Sequence, residues 1–526
     1  MRILYKIANK LFRIVKKILK LLTSRMVIIG VALLLEFCWL AGIMMQLNEK
    51  SVYINYAVTI LSLIAVLSII NNPKMNPGYK LMWAVCILAL PVTGICLYGI
   101  LGHSSVARKF RTHYDTVLLS QGGVLGEEEE TRKKLEEENI LAAGQSSYLT
   151  KYAHYPVYEN TETEYYPLGD VWFEHFIEEL KKAEHYIFME YFIISEGYLW
   201  DTVLEILKEK AAAGVDVRLI YDDFGCVTTL PYQYYKSLQQ MGIKCAAFNQ
   251  FRPVLNVILN NRDHRKIAVI DGHTAFTGGI NLADEYINRK ERFGHWKDSG
   301  ICLHGEAVWS FTVMFLQMWS TITGMECNFE SYRPEIYHEE AFKKDGFVQP
   351  YGDSPLDGET VGEHVYLNII SQAKKYLYIF TPYLIPDNET LIALCMAAKR
   401  GVDVRIVTPG IPDKKIVYIL TQANYEILLE SGVQIYQYTP GFIHSKSFVC
   451  DDEVATVGTI NMDYRSMYLH FECGVWMYGS SAVAQVKEDA LTTFEQCEQI
   501  NMDYCRKKNF AVRALRGALK FLAPLL

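Results

Sequence analysis

The chain repeats a set of polar residues at a fixed offset of 180 positions. DHRKIAVIDG, residues 263–272, carries His264, Lys266 and Asp271, and the same strand-and-return continues to Gly278 and Asn281. HSKSFVCDDEVATVGTIN, residues 444–461, carries His444, Lys446, Asp451, Gly458 and Asn461, with every interval identical. One H-x-K pair is a weak signal, whereas five matched positions recurring in two places are a strong one. The flanks repeat as well. AEHYIFMEYFIISEGYLWDTVLEILKEKAAAGVDVRLIYD and AKKYLYIFTPYLIPDNETLIALCMAAKRGVDVRIVTP both run strand, polar turn, amphipathic helix, Gly-Val-Asp-Val-Arg strand. Gly214 and Gly401 stand where each helix hands over to a strand, and QQMGIKCAAF and LESGVQIYQY make the same handover again. Two fused copies of one α/β unit explain this pattern most simply.

The spacing constrains the chemistry. Side chains two apart on a strand share a face, so His264 and Lys266 are expected to point the same way, as are His444 and Lys446. Asp271-Gly272 and Asp451-Asp452 mark tight turns. At ~3.3 Å per residue each aspartate lies ~23 Å along the strand from its histidine, while the return strand brings Asn281 or Asn461 back beside it. The cluster is then histidine, lysine and asparagine, twice. It lacks carboxylates and has no serine or cysteine paired with the histidines, which argues against a metal site and a hydroxyl or thiol nucleophile. Positive charge and amide donors suit a phosphoryl group, with one imidazole attacking phosphorus and the other protonating the departing oxygen. A purely structural pair of core histidines would leave two lysines buried without purpose, at considerable cost.

Hydropathy adds a second region. Residues 26–46, 52–70 and 81–101 each reach the ~20 apolar residues of a membrane span, interrupted only by Glu36. No small-residue cleavage site follows the first, which argues against a signal peptide. Residues 1–25 hold eight Lys or Arg and no acid, interleaved with apolar residues at helical spacing, as in a helix lying on an anionic membrane. The net charge of −7 therefore conceals an acidic remainder, which argues against nucleic acid as a partner. Lys74 and Lys80 between spans two and three favour a cytoplasmic N-terminus and an extracytoplasmic soluble part, although Arg108, Lys109 and Arg111 pull the other way. The run EEEETRKKLEEEN, residues 127–139, reads as a solvated linker or helix, and the basic, apolar C-terminal stretch as a second membrane-surface helix in preference to a tail packed on the domain. Twelve scattered cysteines form neither a zinc pattern nor a disulfide framework.

The paired H-x-K-x4-D-x6-G-x2-N motifs resemble those of the phospholipase D superfamily. Together with NNPKMNPGYKLMWAVCILALPVTGICLYGILG and the terminal FLAPLL, the chain from about residue 70 onward is similar to bacterial cardiolipin synthases. The resemblance implies an α/β fold: a pseudo-twofold pair of phospholipase D-type α/β/α repeats, sharing one active site, behind an N-terminal α-helical transmembrane region. The expected divisions are a basic amphipathic helix at 1–25, three transmembrane helices within 26–101, a polar linker at 102–150, repeats at 151–335 and 336–500, and a basic amphipathic tail at 501–526.

The same resemblance makes His264, Lys266, Asp271, His444, Lys446 and Asp451 the catalytic motif residues, with His264 as nucleophile and His444 as acid and base. Lys266, Lys446, Asn281 and Asn461 would bind phosphate, and Asp298 and Glu472 would orient the histidines. It implies no cofactor and no metal. The small residue after the motif glycine, commonly serine in the superfamily, is Gly279 in one copy and Thr459 in the other, so the first copy has no hydroxyl there to contact phosphate. The implied activity joins two phosphatidylglycerols into cardiolipin and releases glycerol at the cell membrane, with membrane phospholipids and an anionic surface as partners. Hydrolysis by water, transfer to another alcohol, a nuclease and a non-catalytic lipid-binding scaffold are the competing readings.

Overall fold

A computed structural model describes residues 34, 37, 50–73, 75–99, 107–120, 123–126, 129–250, 261–506 and 510–525. The chain forms two compact units, one ending at Lys109 and one running from Phe110 to Phe251 and from Asn260 to Leu526.

The first unit contains α1 (Lys50–Ile70), α2 (Pro77–Ala89) and α3 (Pro91–Leu97). The expected span at 52–70 lies within α1. The expected span at 81–101 is not one helix: Leu90 turns out of helical geometry at φ −133° and ψ 77°, and Pro91, which has no N–H to continue the ladder, opens α3. Helix α3 folds back so closely that a Cβ on Gly94 would meet the Cys86 carbonyl oxygen at 2.6 Å. At ~1.5 Å per residue neither α2 nor α3 approaches the ~30 Å of a bilayer core. Among the described residues no helix is long and apolar enough to cross a membrane. The expected span at 26–46 and the basic segment 1–25 lie outside the described residues, apart from Leu34 and Phe37.

The second unit begins with a correction to the linker at 102–150. Helix α4 (Glu129–Glu138) carries the charge run as i,i+4 ion pairs, Lys133 with Glu129 at 2.8 Å and Lys134 with Glu130 at 3.3 Å. Its buried Leu135 joins Ala142, Ala143 and Leu149 of α5 (Ile140–Tyr152) in the core of the second repeat. The polar face hid an apolar stripe that packs against elements more than 200 residues away in sequence.

The first repeat forms a sheet in the order β1-β9-β7-β6-β2-β3-β4, from β1 (Thr161–Tyr166), β2 (Tyr186–Tyr191), β3 (Asp216–Asp222), β4 (Lys244–Phe248), β6 (Lys266–Ile270), β7 (Thr274–Gly278) and β9 (Gly300–Gly305). Two short strands, β5 (Arg262–Asp263) and β8 (His295–Lys297), stand apart from it. The second repeat reproduces the order as β10-β17-β16-β15-β11-β12-β13, with one added edge strand. Its strands are β10 (Phe347–Asp353), β11 (Tyr376–Phe380), β12 (Asp403–Pro409), β13 (Gln434–Tyr438), β15 (Ser447–Cys450), β16 (Val454–Gly458), β17 (His470–Tyr478) and the edge strand β18 (Cys497–Ile500), with β14 (Gly441–Ile443) outside this sheet.

Strand β2, parallel to β3 and antiparallel to β6, is buried at every position, as a central strand covered on both faces requires. Helix α6 (Tyr198–Ala212) buries Leu199, Trp200, Val203, Ile206 and Leu207 at helical spacing. Helix α7 (Val308–Thr323), buried along almost its whole length, stacks Phe315 on Phe188 of β2 at 4.8 Å. In the second repeat Asp387 caps α8 (Asn388–Lys399) by accepting from Thr390 N at 3.0 Å.

The expected membrane-surface tail at 501–526 is corrected as well. Leu519 of α10 (Phe510–Leu522) and the following Ala523 pack with Val417 and Leu420 of α9 (Lys415–Ala423) and with Ile385. Arg516 donates to the buried Gln422 at 2.9 Å. The partner for the tail's apolar residues comes from α9, about a hundred residues earlier.

Candidate active site

Two exchanged segments build the site. Strand β5 of the first repeat pairs in parallel with β17 of the second, Arg262 opposite His470 and Asp263 opposite Phe471, and His264 N donates to Phe471 O at 2.9 Å. In the mirror arrangement β14 pairs with β8, Ile443 opposite Lys297, and His444 N donates to Lys297 O at 2.7 Å. Each histidine thus stands just before its long strand rather than on it, which corrects the expected strand placement, while each histidine and its lysine still face one site. The crossing has a chemical consequence. The residue after Phe471 is Glu472 and the residue after Lys297 is Asp298, so each histidine meets a carboxylate of the opposite repeat.

His264 Nδ1 lies 2.9 and 3.0 Å from the two Glu472 oxygens, and His444 Nδ1 lies 2.6 Å from Asp298 Oδ2. A carboxylate at Nδ1 holds the proton there and leaves the Nε2 lone pair for chemistry. Lys266 Nζ donates to His264 O at 2.6 Å; Lys446 Nζ lies 2.8 Å from His444 Nδ1 and also donates to His444 O. The hydroxyls of Ser299 and Ser445 bond across the two repeats.

Burial governs the electrostatics. It pushes the His264 imidazole down to about 3, with Lys266 adding to the effect and Glu472 opposing it. It pushes His444 down to about 4, helped by Lys446 and opposed by Asp298. The ammonium of Lys266 falls to about 8 and that of Lys446 to about 7, again by burial, with the carboxylates resisting. Burial also disfavours charge on Glu472, but His264 and His470 outweigh it and hold the carboxylate well below its ordinary range. For Asp298, His444 and Lys446 likewise outweigh burial. Lys266 acts electrostatically on both His444 and Lys446, so the two motifs share one site.

The remaining expected residues divide. Asn281 accepts from Ile193 N at 2.9 Å and donates to Tyr286 OH at 2.8 Å, and the Tyr286 ring packs 5.6 Å from that of His444. Asn461 Oδ1 is buried with no hydrogen-bond partner among the described residues. Asp271 and Asp451 stand at the far turns. Asp271 accepts from the backbone N–H groups of Glu184, His185 and Tyr186 at 2.7 to 2.8 Å, and Asp451 from those of Lys374, Lys375 and Tyr376 at 2.6 to 2.8 Å. The expected catalytic role of these two aspartates is therefore corrected: a five- or four-residue strand separates each from its histidine, and its oxygens are spent on the start of β2 or β11.

The glycine and threonine that follow the motif also have structural duties. A Cβ on Gly279 would fall 2.0 Å from Asp298 Oδ1, so only glycine admits that carboxylate. Thr459 lies 2.5 Å from Glu472 Oε2 and 3.1 Å from Cys473 O, and its hydroxyl is thus engaged by the protein. Sequence reasoning missed three rings and one histidine. Phe192 packs 4.9 Å from His264 and beneath Lys266 at 5.5 Å, and Tyr286 and Trp296 both pack 5.6 Å from His444. His470, 5.5 Å from His264, sits two residues before Glu472, and the matched intervals gave no cue to it.

The family model described as a cardiolipin synthase, phospholipase D-like domain matches residues 176–319 and 366–493, and a phospholipase D-nuclease N-terminal model matches 60–103. The chain is 43% identical over 475 residues to an uncharacterized protein of Streptococcus mutans, covering 88% of this chain and 99% of the relative. It is 34% identical over 472 residues to a cardiolipin synthase of Alkalihalophilus pseudofirmus, covering 89% and 92% of the two. In fold it is similar to a phosphatidylserine synthase of Haemophilus influenzae, with a TM-score of 0.56 at 16% identity, covering 74% of this chain and all of that one. The chain therefore belongs to the phospholipase D-like cardiolipin synthase family of phosphatidyl-transferring enzymes.

Proposed function

We propose that this chain makes cardiolipin from two molecules of phosphatidylglycerol and releases glycerol. His264 Nε2 attacks the phosphorus of the first lipid, and the bond from phosphorus to the glycerol oxygen breaks. His444 supplies the proton to that oxygen. The second lipid's glycerol hydroxyl then gives its proton to His444 while its oxygen displaces His264 from phosphorus, which restores both imidazoles. Lys266, Lys446, Asn281 and Asn461 hold the phosphate oxygens. Before lipid binds, burial keeps His444 neutral, and the negative charge of a bound phosphodiester returns the proton that the acid role needs.

The observation that carries this reading is the reciprocal pairing of His264 with Glu472 and His444 with Asp298 across two repeats. It supplies two oriented imidazoles beside two ammonium groups, as two-step phosphoryl exchange requires. The apolar residues exposed on α1 and α2, together with the basic segment 1–25, support location at the cell membrane.

The test is detergent-solubilised protein incubated with phosphatidylglycerol and a chelator. Cardiolipin and free glycerol in equal amounts are expected. Phosphatidic acid as the sole product would replace transfer by hydrolysis, and no turnover would leave a lipid-binding scaffold. With lipid labelled at phosphorus, acid-labile label is expected on the native chain and none on His264→Ala.

A further inference from the structure

We propose that His264, His470 and Glu472 form a binding site for a borderline-soft divalent cation, with Zn²⁺ the best fit, and that its occupation silences the exchange. The inhibitory half of this inference rests on the nucleophilic role proposed for His264; the binding half does not. One nitrogen from each histidine and one Glu472 oxygen lie within 4.8 Å of one another, the one such group among the described residues. Glu472 Oε1 is 2.9 Å from His264 Nδ1 and 3.7 Å from His470 Nδ1. Ligand atoms at ~2.0–2.1 Å from a tetrahedral zinc stand about 3.3 Å apart, so each Glu472–histidine pair needs a shift of a few tenths of an ångström, and the two histidine nitrogens, within 4.8 Å of each other, close up by at most about 1.5 Å.

His470 is the independent pointer. Its side chain is only 10% exposed, yet neither ring nitrogen has a hydrogen-bond partner among the described residues. Buried polar atoms rarely go unpaired without a role. Two imidazoles and one carboxylate, with a fourth position left to water, are a zinc donor set, whereas Mg²⁺ and Ca²⁺ demand more oxygen ligands. Glu472 supplies the negative charge that the cation needs, against the opposing ammonium of Lys266 nearby.

The chemistry follows from the tautomer. Neutral His264 keeps its proton on Nδ1, toward Glu472. A bond from Zn²⁺ to Nδ1 takes up that nitrogen's lone pair, so the proton leaves Nδ1 and reappears on Nε2 through water. The imidazole stays neutral and nothing is oxidised or reduced. Nε2, the atom proposed to attack phosphorus, then bears hydrogen in place of a lone pair.

Chelator-stripped protein titrated with Zn²⁺ against a chelating chromophore should bind one ion that His470→Asn binds at least about tenfold more weakly. X-ray absorption at the zinc edge of the native protein should show imidazole and oxygen ligands, a reading that needs no variant. One equivalent of Zn²⁺ should cut native transfer about tenfold, reversibly by EDTA, and leave His470→Asn at its own zinc-free rate. Equal binding by the variant, or a sulfur shell from the cysteines, overturns the site. Protein that transfers phosphatidyl groups yet lacks His470-dependent zinc sinks this inference alone. Protein that binds zinc through these ligands yet transfers nothing upholds the site and sinks the proposed function.

Discussion

Glu472 and Asp298 carry the argument at the scale of single residues, because each fixes a histidine it reaches only across the repeat boundary. Glu472→Gln and Asp298→Asn keep the shape but remove the charge that stabilises an imidazolium as it forms. Each is expected to lower kcat by about 10²–10⁴-fold with KM within about threefold, read by steady-state kinetics. A loss confined to KM would show that these carboxylates serve binding only. The lysines predict a pH dependence. Burial sets Lys446 at about 7 and Lys266 at about 8, so both lose their positive charge as pH rises through that window. The free enzyme then attracts a phosphodiester less well, and kcat/KM should fall above about pH 7. A bound phosphate favours the ammonium form, so the fall in kcat should come at higher pH. A kcat/KM profile flat to pH 9 would remove the lysines from phosphate binding.

At the scale of elements, the turns that close β6 onto β7 and β15 onto β16 are held by Asp271 and Asp451, each accepting three backbone N–H groups. In Asp271→Asn the amide NH₂ or its lost charge leaves at least one donor unsatisfied, at a cost of about 1–3 kcal/mol. Denaturant unfolding should show that loss, while folded Asp271→Asn keeps kcat within about twofold; a stable but inactive variant would return Asp271 to the chemistry. The paired repeats were legible because the periods of buried strands and amphipathic helices are local, and both sheets have the same strand order. Strands β5, β8 and β14 were not. At two or three residues they have no period to read, and their partners lie in the other repeat. Asp298 and Glu472 could be named from the family resemblance, yet which histidine each serves depends on those short strands. Helices α4 and α10 were misread for a related reason, since a polar or basic surface gives no hint of a packing partner far along the chain.

At the scale of the whole molecule, two forces can hold such a chain at a lipid surface, and they separate experimentally. A basic segment such as 1–25 would be drawn to anionic headgroups by an interaction that salt screens, with a Debye length of ~8 Å at physiological ionic strength and ~3 Å at 1 M. The folded first unit offers something salt does not weaken. Leu81, Val85 and Leu88 recur at i, i+4 and i+7 along one face of α2 with 63, 42 and 54% of their surfaces exposed, and Tyr56, Ile60 and Leu63 do the same on α1. Apolar patches of this kind are rare on a surface facing water alone, and each buried CH₂ contributes ~0.8 kcal/mol. Native protein in isolated membranes should therefore stay with the pellet in 1 M salt and in alkaline carbonate, and leave it only with detergent. If charge alone held the chain, salt would release it. Leu81→Glu with Leu88→Glu places two carboxylates in the apolar face without touching the basic segment, and should make attachment salt-sensitive. Attachment of this double variant that still resists salt would assign anchoring to residues outside α2, with α1 or the segment before it as the place to look.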